Sequence, residues 1–355
     1  MHSRPSRTLV AAFAAALALV ASSTAHAQHA SGGSAAPTRA AAPVGAPLSV
    51  EIPLVYVDGR ILLPATLDGV GERWFILDTA AGGSVVSTRL RAELGPEAAV
   101  RRDTVRGASG ASVMEFVALP GLEAAGLRRE GLWGVVADIP DFQEVDGRRV
   151  EGVLGVDLYL GYDVEIDVPG GALRLTRPTV PGVTPSAPGV SHPACGVSRS
   201  TPGGPEAPPA GAALPFHSSA QDGFLQFEAR VAGHAVDAIL DTGSRWSVLN
   251  WRAADLAGVT RESPGLEVRE RGSRGLGGEP VETFWYDFPD LRIGDVPLPG
   301  RARIADLPVF HALGHADDPV LLVGAEILER CVLHFSYATG RLTLCPSGRP
   351  VNRDP

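Results

Sequence analysis

Two aspartates in matching settings are the residues of this sequence best suited to chemistry. The stretch Trp74–Ala80 reads WFILDTA and places Asp78 after an apolar run, and Val236–Gly243 reads VDAILDTG and does the same for Asp241. An apolar run of this length that ends at small residues predicts a buried strand followed by a tight turn. Each carboxyl group is therefore expected at the edge of a core, where it is costly to ionise it alone.

If the two turns meet, Asp78 and Asp241 form a pair that shares one proton, because like charges in contact cannot both ionise. Such a pair can activate a water molecule for attack on an amide while it protonates the carbonyl oxygen. The simpler alternative is that each aspartate only caps its own turn, as Asp commonly does. The repeated context favours the paired interpretation.

The segments around the two aspartates also repeat in order along the chain. Asp241 follows Asp78 by 241 − 78 = 163 positions. Four further pairs of segments recur in the same sequence: Ser84–Gly95 with Trp246–Gly258, Gly107–Gly110 with Gly275–Gly278, Gly152–Leu158 with Leu321–Leu328, and Gly171–Leu175 with Gly340–Leu344. This order predicts an internal duplication, with one unit in each half of the chain.

Length and composition agree with two β-rich units. A chain of 355 residues can hold two domains with separate cores, and 42 Gly and 30 Pro favour strands and turns over helices. The formal charge of −9 argues against nucleic acid or anionic lipid as the partner.

The N-terminus is predicted to be a signal peptide over residues 1–27. Arg4 and Arg7 precede the apolar run Leu9–Ala21, and Ala25–Ala27 provides a small-x-small cleavage site. We expect export to the periplasm or beyond, with no membrane span left after cleavage. The remaining predicted boundaries are a disordered leader at 28–48, a first lobe at 49–177, a Pro/Gly-rich linker at 178–213, a second lobe at 214–346 and a tail at 347–355.

Each half resembles a retropepsin-type aspartic protease unit, of the kind found in retroviral and bacterial aspartyl proteases. The resemblance is carried by Leu77–Ala80 with Val153–Gly155, and by Leu240–Gly243 with Leu322–Gly324. In that family an Asp-Thr-Gly turn lies beside an apolar-apolar-Gly segment, and two units pair to make one site. Retroviral enzymes pair two chains, whereas pepsins fuse two lobes.

The resemblance covers most of residues 50–177 and 214–346. It implies an all-β fold, with two tandem acid-protease β-barrel lobes related by pseudo-twofold symmetry and a cleft between them. It also implies a monomeric, exported endopeptidase that cleaves a peptide or protein substrate with a water held between the aspartates, with neither cofactor nor metal.

The residues after the aspartates differ between the two turns. The family implies that the hydroxyls of Thr79 and Thr242 hydrogen-bond across the lobe interface. Gly243 has no Cβ, so its backbone can approach a substrate closely, whereas Ala80 departs from the family pattern and narrows the cleft. Ala80 thus favours a second hypothesis, a catalytically inactive peptide- or protein-binding module that retains the fold.

The next position predicts an electrostatic asymmetry. Ser244 could donate a hydrogen bond to the Asp241 carboxylate, whereas Ala81 cannot do so for Asp78. Because such a bond lowers the pKa of the acceptor, we expect Asp241 to hold the charge and Asp78 the shared proton.

Two glycine-rich tips are expected to close as flaps over an extended peptide. Ordinary hairpin tips are the alternative interpretation. The residues concerned are Gly107, Ala108, Ser109 and Gly110 in the first half, and Gly275, Leu276, Gly277 and Gly278 in the second.

Three cysteines leave one unpaired in an oxidising compartment. Cys331 and Cys345 flank a turn at Tyr337–Gly340, so they are candidates for a disulfide across a hairpin. Cys195 is then either the free thiol or a competitor for one of the other two.

Overall fold

The fold is taken from a computed structural model, which describes residues 18–20, 47–107, 110–138, 144–178, 213–218, 223–268, 280–347 and 349. Strands dominate these residues, and the four α-helices are short. The all-β prediction is confirmed. None of the helices in the described ranges has the length and apolar character needed to cross a membrane.

The first half of the chain contains fifteen of the strands and two of the helices among the described residues. They are β1 (Ala18–Val20), β2 (Ser49–Pro53), β3 (Val55–Val57), β4 (Arg60–Leu67), β5 (Gly71–Leu77), β6 (Val85–Val86), α1 (Thr88–Glu93), β7 (Val100–Gly107), β8 (Gly110–Ala118), β9 (Leu122–Ala124), β10 (Leu127–Arg129), β11 (Trp133–Val136), β12 (Glu144–Val145), β13 (Arg148–Leu154), α2 (Val156–Tyr159), β14 (Asp163–Asp167) and β15 (Ala172–Thr176).

The second half repeats this order with local changes. Its elements are β16 (Ala213–His217), β17 (Gln226–Val231), β18 (His234–Leu240), β19 (Val248–Leu249), α3 (Trp251–Leu256), β20 (Glu267–Val268), β21 (Phe284–Asp287), β22 (Leu291–Ile293), β23 (Val296–Pro297), β24 (Arg301–Ile304), α4 (Pro308–Ala312), β25 (Val320–Val323), a 3₁₀ helix (Ala325–Glu329), β26 (Cys331–Ser336) and β27 (Arg341–Pro346).

Local sequence explains a hairpin turn in the first lobe and the start of one helix in each lobe. Asp58 and Gly59 join β3 to β4 with φ angles of 51° and 77°, the left-handed conformation that a tight hairpin of this type requires. The helix α1 is capped by Ser87, whose side chain accepts a hydrogen bond from the backbone N–H of Leu90. In the second lobe Asn250 caps α3 in the same way, through the N–H of Ala253.

Both lobes are built on the same strand pairings. The strand that leads into the Asp-Thr turn, β5 or β18, runs antiparallel to its predecessor and parallel to a later strand, β13 or β25. That later strand also pairs antiparallel with the short strand after the turn, β6 or β19. The turn is thus held between strands from distant parts of its lobe.

A shared sheet joins the two lobes. Its order is β2, β15, β14, β26, β27 and β16, three strands from each half. At its centre β14 pairs antiparallel with β26, from Asp163 opposite Ser336 to Ile166 opposite Leu333. The halves meet there through equivalent strands, which is the arrangement that a pseudo-twofold axis produces, so the predicted two-lobed architecture is confirmed.

Apolar side chains fill both lobes and the layer under the shared sheet. Two smaller clusters flank the region where the turns meet. One surrounds Phe116 in the first lobe, and the other surrounds Phe310 in the second. These clusters fix the two turns from opposite sides.

Candidate active site

The two Asp-Thr turns are held by the apolar-Gly segments that recur with them. The backbone N–H of Asp78 donates to the carbonyl of Leu154 at 3.1 Å, and that of Asp241 donates to Val323 at 2.9 Å. Each aspartate therefore leaves its strand at a point fixed by the neighbouring parallel strand.

The structure brings the two aspartates together. The side chains of Asp78 and Asp241 lie beside each other, close enough that each shifts the pKa of the other, and they are 0% and 2% exposed. Two carboxyl groups in contact and out of water cannot both be charged, so the pair retains a proton. This is the pairing that the repeated sequence predicted.

The adjacent threonines interlock the halves. The hydroxyl of Thr79 donates to the carbonyl of Leu240 at 2.9 Å and accepts from the N–H of Thr242 at 3.1 Å. Reciprocally, the hydroxyl of Thr242 donates to the carbonyl of Leu77 at 2.8 Å and accepts from the N–H of Thr79 at 3.0 Å. Four buried hydrogen bonds thus fix the carboxyl groups relative to each other, as the family resemblance implied.

Burial dominates the electrostatics of the pair. It raises the pKa of Asp78 to about 7, although backbone N–H groups of Ala80, Gly243 and Ala81 partly offset it. Burial raises the pKa of Asp241 well above its ordinary value, and the charge of Asp78 adds to that rise. The two carboxyl groups therefore share a proton and titrate as a pair, with the pKa of both raised by burial.

The side-chain hydrogen bond on which the asymmetry expected from Ser244 was based does not form. The Ser244 hydroxyl donates to the carbonyl of Trp246 at 2.9 Å, and only its backbone N–H reaches the carboxylate, at 2.9 Å from Oδ1 of Asp241. Asp78 receives an equivalent bond from the N–H of Ala80 at 2.8 Å. The side-chain difference between Ser244 and Ala81 therefore supplies no asymmetry at the carboxyl groups.

Gly243 lies against the opposite carboxyl group. A Cβ at this position would be 2.3 Å from Oδ2 of Asp78, so only glycine fits. The other turn tolerates a methyl group at Ala80, which is fully buried and packs in the cluster around Phe310. The requirement for glycine is thus confined to one of the two turns.

Residues 63–158 match the family model described as aspartyl protease. The family resemblance expected from the sequence is confirmed over this segment. It contains Asp78, the strands β5 and β13 that hold its turn, and the paired segment that ends at Gly155. No curated protein matches the chain. Among solved structures, the crystal structure of basic 7S globulin from soybean is similar with 14% identity and a TM-score of 0.40, over 84% of this chain and 95% of that one.

Within the matched segment, the first glycine-rich tip joins two paired strands. β7 and β8 run antiparallel, with Gly107 opposite Gly110, and β1 pairs with the outer edge of β7. The helix α4 of the second lobe packs against both β7 and β8. Ala108 and Ser109 lie outside the described residues, as do Gly275, Leu276, Gly277 and Gly278.

Two acids that sequence reasoning missed stand behind the turns, Glu326 buried and Asp157 partly buried. Asp157 accepts hydrogen bonds from the N–H and hydroxyl of Ser84, each at 2.9 Å to Oδ2. In the second lobe, Oε1 of Glu326 accepts from the N–H of Ser247 at 2.7 Å. The signal was available, since both acids lie two positions after the glycine of the apolar-Gly segment.

The expected disulfide between Cys331 and Cys345 does not form. Cys331 is a free, buried thiol, whereas Cys345 is disulfide-bonded. The strand register pairs Cys331 with Pro346 and Val332 with Cys345, so the two cysteines point to opposite faces of the hairpin. The strand register differs by one residue from the register that would place Cys331 opposite Cys345. The third cysteine, Cys195, lies outside the described residues.

Two cavities flank the paired turns without containing either aspartate. One of about 200 Å³ lies between the lobes and is lined by the hairpin of β3 and β4 and by Arg245, four residues after Asp241. The other, of about 510 Å³, lies on the second lobe between α3 and α4. The carboxyl pair itself is closed off from solvent in this conformation.

Proposed function

We propose that the chain is an aspartic endopeptidase in which Asp78 and Asp241 jointly activate a water molecule. One observation carries this proposal: buried carboxyl groups from the two halves of the chain lie beside each other, with their turns locked by Thr79 and Thr242. A purely structural pair of turn caps would need no partner from the other lobe.

The shared proton gives the two aspartates complementary roles. The charged aspartate accepts a proton from the water as it attacks the scissile carbonyl carbon. The protonated aspartate donates to the carbonyl oxygen, so charge does not accumulate on the tetrahedral intermediate. The intermediate then breaks down with protonation of the leaving nitrogen, and no covalent bond to the enzyme forms.

Substrate access requires a movement of the first hairpin. Because both carboxyl groups are buried and β7 and β8 pack against α4, the cleft must open before a peptide reaches the pair. An extended peptide can then add to the hairpin through its backbone, a common mode of peptide recognition. Such a lid also excludes water from the closed site.

Ala80 is the feature that favours the second candidate, an inactive peptide-binding module. In the structure Ala80 donates its N–H to Asp78 as a glycine would, and it is not among the residues with a left-handed φ. The methyl group is accommodated within an apolar cluster. These contacts support the enzyme over the binding module.

We further propose that the enzyme is exported and acts on peptides or proteins as a monomer. The apolar run Leu9–Ala21 and the cleavage site at Ala25–Ala27 support export, and the pairing of two lobes within one chain supports a monomeric site. N-terminal sequencing of the protein recovered from outside the cytoplasm tests the first part, and sedimentation tests the second.

The decisive experiment is cleavage of a mixed peptide library by the full chain between acidic and neutral pH. We expect cleavage that a pepstatin-type inhibitor blocks and that Asp78→Asn abolishes. Saturable peptide binding without cleavage at every pH would instead identify the binding module.

A further inference from the structure

Glu326 is a buried acid that the proposed mechanism does not use. It is 4% exposed, and Oε2 has no hydrogen-bond partner among the described residues. A Cβ on Gly324 would lie 2.3 Å from this oxygen, so the carboxyl group is packed tightly against the backbone of its own turn. A charged carboxylate with one unsolvated oxygen is costly, whereas the neutral acid is far less so.

Three hydrogen bonds connect the segment around Glu326 with the turn of Asp241. Oε1 of Glu326 accepts from the N–H of Ser247 at 2.7 Å, and the neighbouring N–H of Ala325 donates to the carbonyl of Ser244 at 2.7 Å. The N–H of Ser244 in turn donates to Oδ1 of Asp241 at 2.9 Å. A shift of the 3₁₀ helix that carries Glu326 would therefore move a donor of the catalytic carboxyl group.

The first lobe provides the matched comparison. Asp157 holds the same place relative to Ser84, but Oδ1 and Oδ2 both accept from the Ser84 hydroxyl, at 3.0 and 2.9 Å. Asp157 thus has donors for both oxygens, and Glu326 has a donor for only one. The two positions are equivalent in the fold and differ in how well they tolerate charge.

We propose that Glu326 is a positioning residue. In its neutral form Glu326 holds the turn of Asp241 in place, and when Glu326 ionises it releases that turn. This inference deepens the proposed function, on which its effect on activity rests. Ionisation places a charge where no donor reaches Oε2, so the 3₁₀ helix must move to admit one. Ser244 then loses its place beside Asp241, and the site loses order toward neutral and alkaline pH.

The charged and titratable groups around Glu326 are consistent with this behaviour. Burial raises the pKa of Glu326 to about 7, while the Ser247 hydroxyl and N–H and the Arg303 guanidinium lower it by less. The carboxyl group in turn helps to raise the pKa of Tyr56, which faces it from β3. Arg303 is buried on β24 and stacks over Trp285 at 5.0 Å.

Unfolding measured against pH tests the proposal without a substrate. Because the folded-state pKa of Glu326 lies above its ordinary value, folding is favoured at low pH and is weakened as the pH rises from about 4.5 to about 7. In an Asp241→Asn background, which removes the coupled titration of the pair, we expect the unfolding equilibrium constant to rise up to roughly 100-fold over this window. Glu326→Gln should largely remove that rise, whereas Asp157→Asn should leave the Glu326 contribution in place.

Activity provides the second readout. In the otherwise unchanged enzyme, Glu326→Gln should move the alkaline limb of kcat/KM to higher pH, because glutamine stays neutral while it still accepts from Ser247. An alkaline limb at the wild-type position, or an unfolding profile that keeps the wild-type pH dependence, overturns the proposal. If Glu326→Gln fails to fold, carbon NMR of the labelled wild-type carboxyl group decides, since titration at an ordinary glutamate pKa excludes a neutral Glu326.

Failure of the proposed function would look different. A protein that cleaves no peptide but shows the Glu326-dependent unfolding profile retains the neutral acid and lacks catalysis. A protease whose unfolding profile does not depend on Glu326 retains catalysis and lacks the proposed effect of Glu326 ionisation.

Discussion

The two lobes repeat one backbone and differ in the side chains that surround the shared site. In each lobe the residue six positions after the aspartate, Ser84 or Ser247, accepts a backbone hydrogen bond from the adjacent strand. The donors are Val135 at 2.9 Å in the first lobe and Arg303 at 3.0 Å in the second. The same backbone position therefore carries a buried apolar residue, Val135, in the first lobe and a buried cation, Arg303, in the second.

The same contrast runs through the turns. Ala80 is tolerated where Gly243 is required, and Asp157 is fully hydrogen-bonded where Glu326 is not. The comparison teaches that main-chain geometry is constrained in both halves, because both must deliver an aspartate to one point. The small residues that follow the aspartates differ, and glycine is required at Gly243, where the backbone touches the opposite carboxyl group.

The largest effect is expected at the carboxyl pair, where the aspartate from each lobe should be equally necessary for catalysis. Asp78→Asn and Asp241→Asn each remove one partner of the acid–base pair and should lower kcat by roughly 100- to 10,000-fold or more. Steady-state cleavage of a fluorogenic peptide measures this. Asp295→Asn, on an exposed turn, is the control that should keep wild-type kcat.

The turns should respond unequally to exchange of their small residues. Gly243→Ala drives a methyl group into the Asp78 carboxyl group and should cost about 100-fold in kcat/KM, the usual scale for a misplaced catalytic group. Ala80→Gly removes a methyl group from an apolar cluster and should change kcat/KM only severalfold. Equal losses in the two variants would contradict the asymmetry of the turns.

The threonine lock should be symmetric. Thr79→Val and Thr242→Val each leave buried backbone groups of the opposite lobe without a partner, which should cost about 1–3 kcal/mol of unfolding free energy. Chemical denaturation measures the loss. Thr66→Val, at an exposed strand position, should be close to neutral, and a clear difference between the two lock variants would show that one lobe depends more on the interface.

The smallest effect concerns pH. Catalysis needs one aspartate of the pair charged, and burial raises the pKa of both, that of Asp78 to about 7, so kcat/KM should fall as the pH drops through that range. The acid limb should therefore lie above the ordinary carboxyl range when kcat/KM is measured between pH 4 and 8. A limb near pH 4 would mean that solvent reaches Asp78 in the working enzyme.

The sequence was sufficient to predict the duplication, the strands before both aspartates and the pairing of the two turns. Each of these depends on local patterns, an apolar run and a small-residue turn, that appear twice in order. The turn after Asp58 and the helix at Thr88–Glu93 were likewise predictable from Asp-Gly and Gly95.

The partner of the Ser244 hydroxyl and the pairing of the cysteines could not be predicted by the same means. The partner of the Ser244 hydroxyl is a carbonyl two residues away, and nothing in the residue type distinguishes that acceptor from a carboxylate. The pairing of Cys331 with Cys345 depended on a register that had to be known to a single residue. Burial, which dominates the pKa values of both aspartates, is a property of the whole assembly.

The sheet that joins the lobes has a consequence for how such a chain can be divided. Three of its strands come from each half, and the seam between β14 and β26 is held by backbone hydrogen bonds rather than by covalent bonds. Two polypeptides separated between Arg177 and Ala213 would each expose one of these strand edges, and each edge is the complement of the other. The covalent connection thus works as a tether that raises the local concentration of two halves already shaped to assemble.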